Sequence, residues 1–558
     1  MKIKQAPAWV LALIIPLLLN LIPILRFDSA QSQEAAGGIV EQAGVAAAAP
    51  VSKSSVSWSE RIPRLTSVQQ SQLEYWSERT HLPGPRRSAA SRETSEKVTA
   101  FLEKEPLSID LPGESLEAAW APGGSWLTKK SLFGSIIPAG FRSNVMESSL
   151  GQDGQFVFFT GNWFAARSID GGTTWAYADP FFDMKDFCCD QVAISDESRH
   201  AFYWLRMGRF NDFGENRFRL GVSTDGGSTF CNYDFYPKDT NAAWTGQWWD
   251  YPHIQLGAES MYIAWNMFNA TGHWTRTLML RFPLDELNEC EEFSYNYYAT
   301  SGWFTFVPVQ GADDRMYFAS NWAMEAPDNR LGIWRWDEST SNPTFYSRTI
   351  TPWSYTSRNE AICGDLSGNW AARTDDRLLA GARFKYDSLY PDRPVLGFWW
   401  NVKQGGDFPH PYIEGVAFFE DSLTGVPGSQ GRPLIYTNST CHLYPSAASN
   451  PEGHLAMVFH YGYGANLRPA VAFTVADTDL STPPGFLYFL VQASKARPSD
   501  QKWGDYNTVR WLQSSPDYWS AGSHYIPQAE DCSTCAAPVY FTFKRGEMYL
   551  NSLPVIRR

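Results

Sequence analysis

A unit that recurs about seven times constrains this chain more than any other feature. Each copy is a short strand-like run, a polar Asp/Gly/Asn turn, and a strongly apolar run that ends in a polar residue. The copies begin at Asn144 (NVMESSLGQDGQFVFFTGN), Asp190 (DQVAISDESRHAFYWLR), Asp250 (DYPHIQLGAESMYIAWN), Thr305 (TFVPVQGADDRMYFASN), Asp365 (DLSGNWAARTDDRLLAGAR), Tyr444 (YPSAASNPEGHLAMVFH) and Asp505 (DYNTVRWLQSSPDYWSAGSH). Most are followed by two further strand-like runs, such as FRLGVST and TFCNYDF. Four strands per unit, at roughly fifty- to sixty-residue spacing, predict an all-β fold: a single β-propeller of seven four-stranded blades, with six as the alternative count. The last run, 540–550, is expected to pair with a strand from before Asn144 and close the ring, which removes exposed sheet edges.

A chain of 558 residues has room for several domains, but the repeat assigns 106–558 to one propeller. Aromatics at 15%, with 24 Trp, suit a rigid, extensively packed β protein. The net charge of −13, without a long Lys/Arg run, argues against nucleic acid or an anionic membrane surface as the main partner. Residues 1–30 carry two lysines and then an apolar run, 8–25, interrupted by Pro16, Asn20 and Pro23. That reads as a signal peptide, with an uncleaved N-terminal anchor as the alternative and the sole expected membrane contact. Residues 31–105 read as a linker with room for one short helix at 91–104. The protein is therefore expected to be secreted, periplasmic or at the cell surface. Eight cysteines in such a compartment predict disulfides, Cys532 with Cys535 as the local pair, while Cys188 and Cys189 have either each other or separate partners. The lone C-x-x-C lacks a second ligand pair for zinc.

Two segments, SIDGGTTW (Ser168, Asp170, Gly172 and Trp175) and STDGGSTF (Ser223, Asp225, Gly227 and Phe230), fit the Asp-box pattern S-x-D-x-G-x-T-W/F. The chemistry is structural: Asp and hydroxyl groups bond the backbone of a tight turn, Gly permits positive φ, and the aromatic packs beneath the hairpin. With these boxes at the junction of third and fourth strands, the chain resembles the sialidase-like, Asp-box (BNR-repeat) propellers as a divergent member. The resemblance implies a glycosidase with an arginine triad on a substrate carboxylate, an acidic Asp, and a Tyr/Glu nucleophilic pair. GFRSN around Arg142 is the counterpart of the family's early Phe-Arg-Ile-Pro motif, and Arg142, Arg206 and Arg383 are the candidate triad.

Starts of first strands and ends of second strands converge on one rim of a propeller, and third-to-fourth turns lie on the opposite face. Asp190, Asp250, Asp365 and Asp505 stand at first-strand starts and are the candidate catalytic residues. Asn162, Arg206, Asn266, Asn321, Arg383, His460 and His524 stand at second-strand ends, and Tyr506 adjoins Asp505. Arg206, Arg383, Asn266, Asn321, His460, His524 and Tyr506 are the candidate substrate-binding set, set against the plainer role of capping loop backbone. Converging carboxylates serve glycoside cleavage, arginines hold an anionic sugar, and an Asp ring holds Ca²⁺, with no other cofactor implied. The expected partner is an extracellular glycan or glycoconjugate. The alternative is a non-catalytic protein-binding, adhesion or assembly-factor propeller.

Overall fold

A computed structural model describes residues 40–59, 125–137, 141–142, 145–324, 329–364, 368–386, 389–476, 488–498, 501, 503–528, 533 and 535–545. The signal segment 1–30, the helix expected at 91–104, Asp365 and Cys532 lie outside the described residues. Seven antiparallel sheets stand as the blades of a seven-bladed propeller. The innermost strands are Ser149–Asp153, Phe187–Asp196, Gln247–Leu256, Val307–Pro308, Leu378–Tyr386, His442–Ser449 and Thr508–Trp511, in blades 1 to 7. Together they line one central channel.

Closure follows the expected route. In blade 7 the strand Ala537–Arg545 lies between Tyr518–Tyr525 and Ser125–Ser131, so a segment from before blade 1 supplies the outermost strand. Strand counts depart from four elsewhere. The segment read as linker contributes Glu41–Ala48 to the edge of blade 3 and Ser52–Ser55 to the edge of blade 2, giving each five strands. Its small, polar residues gave no apolar alternation to read, because main-chain pairing rather than side-chain burial holds them there. Blade 5 has three strands among the described residues, and the isolated bridges Ile413–Ile435 and Phe418–Gly425 stand beyond them.

The register of blade 5 corrects the sequence reading. Arg383 was placed at the end of a second strand, yet it lies on the innermost strand Leu378–Tyr386. Non-strand chain at 351–364 and 368–377 flanks the place where that repeat is expected to begin, and it carries Arg358, Arg373, Asp375 and Arg377.

Disulfides join Cys188 to Cys189, Cys231 to Cys290 and Cys363 to Cys441. Cys535 is also disulfide-bonded. These bonds suit an oxidising compartment. No helix among the described residues is long and apolar enough to cross a membrane.

Candidate functional site

One end of the channel collects side chains from the starts of the innermost strands. Backbone kinks aim them there: the ladder of blade 2 shifts register between Phe187 and Gln191, and that of blade 3 between Asp250 and His253. Tyr251, Thr305 and Tyr444 hold φ of 61°, 62° and 60° at matching points of blades 3, 4 and 6. Left-handed backbone is costly for such residues, and at Thr305 and Tyr444 asparagines on the second strands of the preceding blades hold it in place. Asn266 Oδ1 accepts from Thr305 N at 3.0 Å, and Asn401 Oδ1 accepts from Tyr444 N at 2.7 Å. In blade 5 Asn321 Oδ1 accepts from Leu378 N at 3.0 Å, and in blade 1 Asn162 Oδ1 accepts from Glu147 N at 2.8 Å. At the seam between blades 7 and 1 a Cβ on Gly504 would collide with Met146 O, so glycine there lets Asp505 approach Glu147.

The mouth gathers four carboxyl groups: Glu147, Asp190, Asp250 and Asp505. Glu147 and Asp190 are hydrogen-bonded to each other, which requires a proton between them. Burial, then the charge of Asp505, pushes the Glu147 carboxyl up to about 8. Burial and Asp190 raise Asp250 to about 8 against the pull of Arg377. Asp190 is pushed well up by burial and then by Glu147. Asp505 is raised by burial, while Arg373, Arg377 and Arg358 act in the opposite direction. Facing these acids are Arg358, Arg373 and Arg377 of the segment described at 351–364 and 368–377. Arg377 pairs with Asp375, Nη2 to Oδ2 at 2.5 Å, and lies 4.5 Å over the Tyr251 ring. Cys363–Cys441 ties this segment to blade 6, since Cys441 directly precedes the strand His442–Ser449.

Tyr506, Tyr251 and His253 pack as a cluster, with ring centroids 5.0 Å apart for the tyrosines and 5.6 Å for His253 with Tyr506. Tyr506 Oη and His253 Nε2 are buried without a hydrogen-bond partner. Burial, then Arg377 and Arg510, lowers His253 to about 3, so its ring is neutral. Glu147, His253, Tyr506 and Arg510 all line one cavity of ≈ 80 Å³ running along the channel.

Asp190, Asp250, Asp505 and Tyr506 are thus brought together. The other expected residues that are described are not. Arg206 is fully buried within blade 2, paired with Asp183 at 2.5 Å and lying 3.9 Å over Trp204. Arg383 pairs with Glu420 at 2.8 Å on blade 5. Arg142 acts on Tyr525 of blade 7. Asn266 and Asn321 cap backbone, as the plainer reading had it. His460 and His524 are fully buried side by side, with centroids 4.8 Å apart, and burial holds His460 down at about 4. Among the described residues no group of three or more His, Cys, Asp or Glu is arranged to hold a metal ion.

Glu147, Arg358, Arg373, Arg377 and Tyr251 were missed as a constellation. Glu147 had a signal: it precedes Asn162 by 15 positions, as Asp250 precedes Asn266 by 16. The arginines had none, because they sit in an insertion without a repeat counterpart.

The Asp boxes lie at the other end of their blades. Ser168 Oγ donates to Asp170 Oδ1 at 2.8 Å and accepts from Gly172 N at 2.7 Å, and Ser223 and Asp225 repeat the pattern. Trp175 stacks on Phe133 at 4.0 Å, and Phe230 packs 5.4 Å from Trp204.

No family model matches this chain, and no curated protein matches it in sequence. Solved propellers do match in structure. A protein of unknown function from Dyadobacter fermentans is 8% identical with a TM-score of 0.36, over 76% of this chain and 99% of that one. Trypanosoma rangeli sialidase, solved with sialic acid, is 10% identical with a TM-score of 0.30; the match covers 63% of this chain and about half, 53%, of the sialidase. An alpha-L-arabinofuranosidase of Fusarium graminearum is 10% identical with a TM-score of 0.36, over 72% of this chain and 94% of that one. An alpha-L-arabinanase of Cellvibrio cellulosa is 11% identical with a TM-score of 0.30, over 60% of this chain and 92% of that one.

Proposed function

We propose that this propeller acts on extracellular carbohydrate, cleaving a glycosidic bond of an acidic or hydroxyl-rich sugar at the mouth of its channel. The observation that carries the reading is the mutual interaction of Glu147, Asp190, Asp250 and Asp505 with Arg358, Arg373 and Arg377, in a cluster that reaches the channel cavity at Glu147. Fold alone does not assign chemistry, but this mixture of groups supports one. The arginines hold the anionic or hydroxyl groups of the sugar. The Glu147–Asp190 pair holds a proton at neutral pH and delivers it to the departing glycosidic oxygen. Asp505, with three guanidinium groups acting on it, is the carboxylate that supports charge developing at the sugar carbon.

The test is a panel of chromogenic glycosides that includes uronides, sialosides and neutral pentosides and hexosides, run beside a glycan array. Hydrolysis of one class should fall about 10²–10⁴-fold in Asp190→Asn. Binding on the array without hydrolysis of any glycoside would favour the recognition reading over catalysis. Neither binding nor hydrolysis would remove carbohydrate from consideration and leave a protein-binding or assembly role for this face.

A further inference from the structure

The channel cavity that Glu147 lines also contains a cation with no counterion among the described residues. Arg510, on the innermost strand Thr508–Trp511 of blade 7, lines the same cavity as Glu147 and Tyr506. Its Nε and Nη1 are buried and donate to nothing. Burial lowers its pKa to about 10, which leaves it charged at neutral pH, and no carboxylate among the described residues acts on it. Glu147 and Asp250 do not offset this charge, since burial and the neighbouring acids favour their neutral forms, and Asp505 already faces Arg358, Arg373 and Arg377. A half-buried guanidinium with two buried, unpaired nitrogens is unfavourable enough that a bound counterion is the expected remedy.

We propose that the channel holds a small inorganic anion, of halide size, against Arg510. The surroundings suit such an ion. Gln255, Gln310 and Ser446 line the cavity beside Arg510 and are uncharged. Ser446 Oγ accepts from Val509 N at 3.2 Å, so its own proton is left for another acceptor. Gln310 Nε2 crosses the channel to Val509 O at 3.1 Å and fixes the strand that bears Arg510. His253 Nε2, also orphaned in this cavity, is a further donor in the tautomer that carries its proton there. A cavity of ≈ 80 Å³ accommodates an ion of this size with a few waters. The site is separate from the carbohydrate reading and stands or falls without it.

The experiment uses the full chain exchanged into halide-free buffer, with bromide as the probe. Bromide should raise the melting temperature of the wild type saturably and leave that of Arg510→Gln unmoved. In halide-free buffer Arg510→Gln should melt above the wild type, because the uncompensated charge is gone. Crystals grown in bromide should show one anomalous peak within contact of Arg510. Equal bromide responses in the two proteins, or no peak at Arg510 in saturating bromide, would overturn the site. A rise with glucuronate but none with bromide would assign the donors to a ligand's own acid and equally overturn a free-ion site. Should Arg510→Gln fail to fold, the anomalous map of the wild type decides.

Discussion

Glu147 and Asp190 reach the channel from neighbouring blades, and a proton between them turns repulsion into a hydrogen bond. The pH dependence of stability follows with a definite sign. Glu147 ionises at 4.5 when unperturbed and at about 8 in the folded protein. Between those values the folded chain binds the extra proton, so stability falls as pH rises through that window. Asp250, moving from 3.8 to about 8, adds the same sign. Melting temperature should therefore decline from roughly pH 5 to pH 8, and Glu147→Gln should flatten the slope; a wild-type curve that is level or rising there would contradict the buried dyad. Asp170 behaves oppositely: despite some burial, hydrogen bonds from Thr174, Ser168 and Thr173 hold it down at about 2. Its contribution is present above 3.8 and is lost as pH falls through about 2. Arg206 separates structure from function at the same scale. Removing one partner of a buried pair costs about 3–5 kcal/mol, so Arg206→Met should destabilise by that order. Urea unfolding should register the loss, and the folded fraction should keep whatever ligand affinity the wild type has. A selective loss of affinity would return Arg206 to the ligand.

Each Asp box is a latch between blades as well as a turn. Lys129, on the ring-closing strand Ser125–Ser131, donates to Gly171 O and Thr173 Oγ1, both at 2.7 Å, and Trp175 Nε1 donates to Ser131 Oγ at 2.9 Å. The second box receives Arg167 of blade 1 at Gly226 O, 3.1 Å, and Trp58 Nε1 at Gly227 O, 2.9 Å. The turn hydrogen bonds are largely solvent-facing, so Asp170→Ala and Asp225→Ala should each cost only about 1 kcal/mol, read by chemical denaturation, with ligand affinity unchanged. Gly172→Ala should cost more. Its φ of 84° disfavours a side chain, and a Cβ there would collide with the Tyr540 ring of blade 7. These boxes were legible because their function is local: serine, aspartate and glycine at fixed offsets make the turn by themselves. The blades were legible for a similar reason, since two-residue alternation and turn residues recur in each. What resisted reading was non-local. Arg383 slipped register because 351–377 interrupts the repeat, and a polar residue at a strand end looks the same whether it faces the other acids of the channel, as Asp250 does, or the backbone of the next blade, as Asn321 does. Glu41–Ala48 was taken as linker because an edge strand held by main-chain pairing leaves little trace in side-chain pattern.

Ring closure and edge protection use different parts of the N-terminal region, and that difference can be tested on the whole molecule. Ser125–Ser131 is the fourth strand of blade 7, pairing with Ala537–Arg545 from Ser125–Arg545 to Ser131–Tyr540. Phe133, just beyond it, stacks on Trp175 of blade 1, and Tyr540 Oη donates to Gln152 Oε1 at 2.9 Å across the same seam. Loss of this strand would open blade 7 along an edge and remove the contacts of Lys129 with the first Asp box. The strands Glu41–Ala48 and Ser52–Ser55, by contrast, cover the outer edges of blades 3 and 2, whose four inner strands remain paired without them. A chain starting at residue 120 should therefore fold into a closed ring with a lower melting temperature and a greater tendency to associate through its uncovered edges. A chain starting at residue 133 should fail to give a cooperative transition. Calorimetry and light scattering on the two truncations distinguish the roles. Were the longer truncation as cooperative as the shorter, closure would rest on side-chain packing between blades 7 and 1 rather than on the shared strand; were the shorter one unable to fold, the two edge strands would belong to the propeller's minimal core.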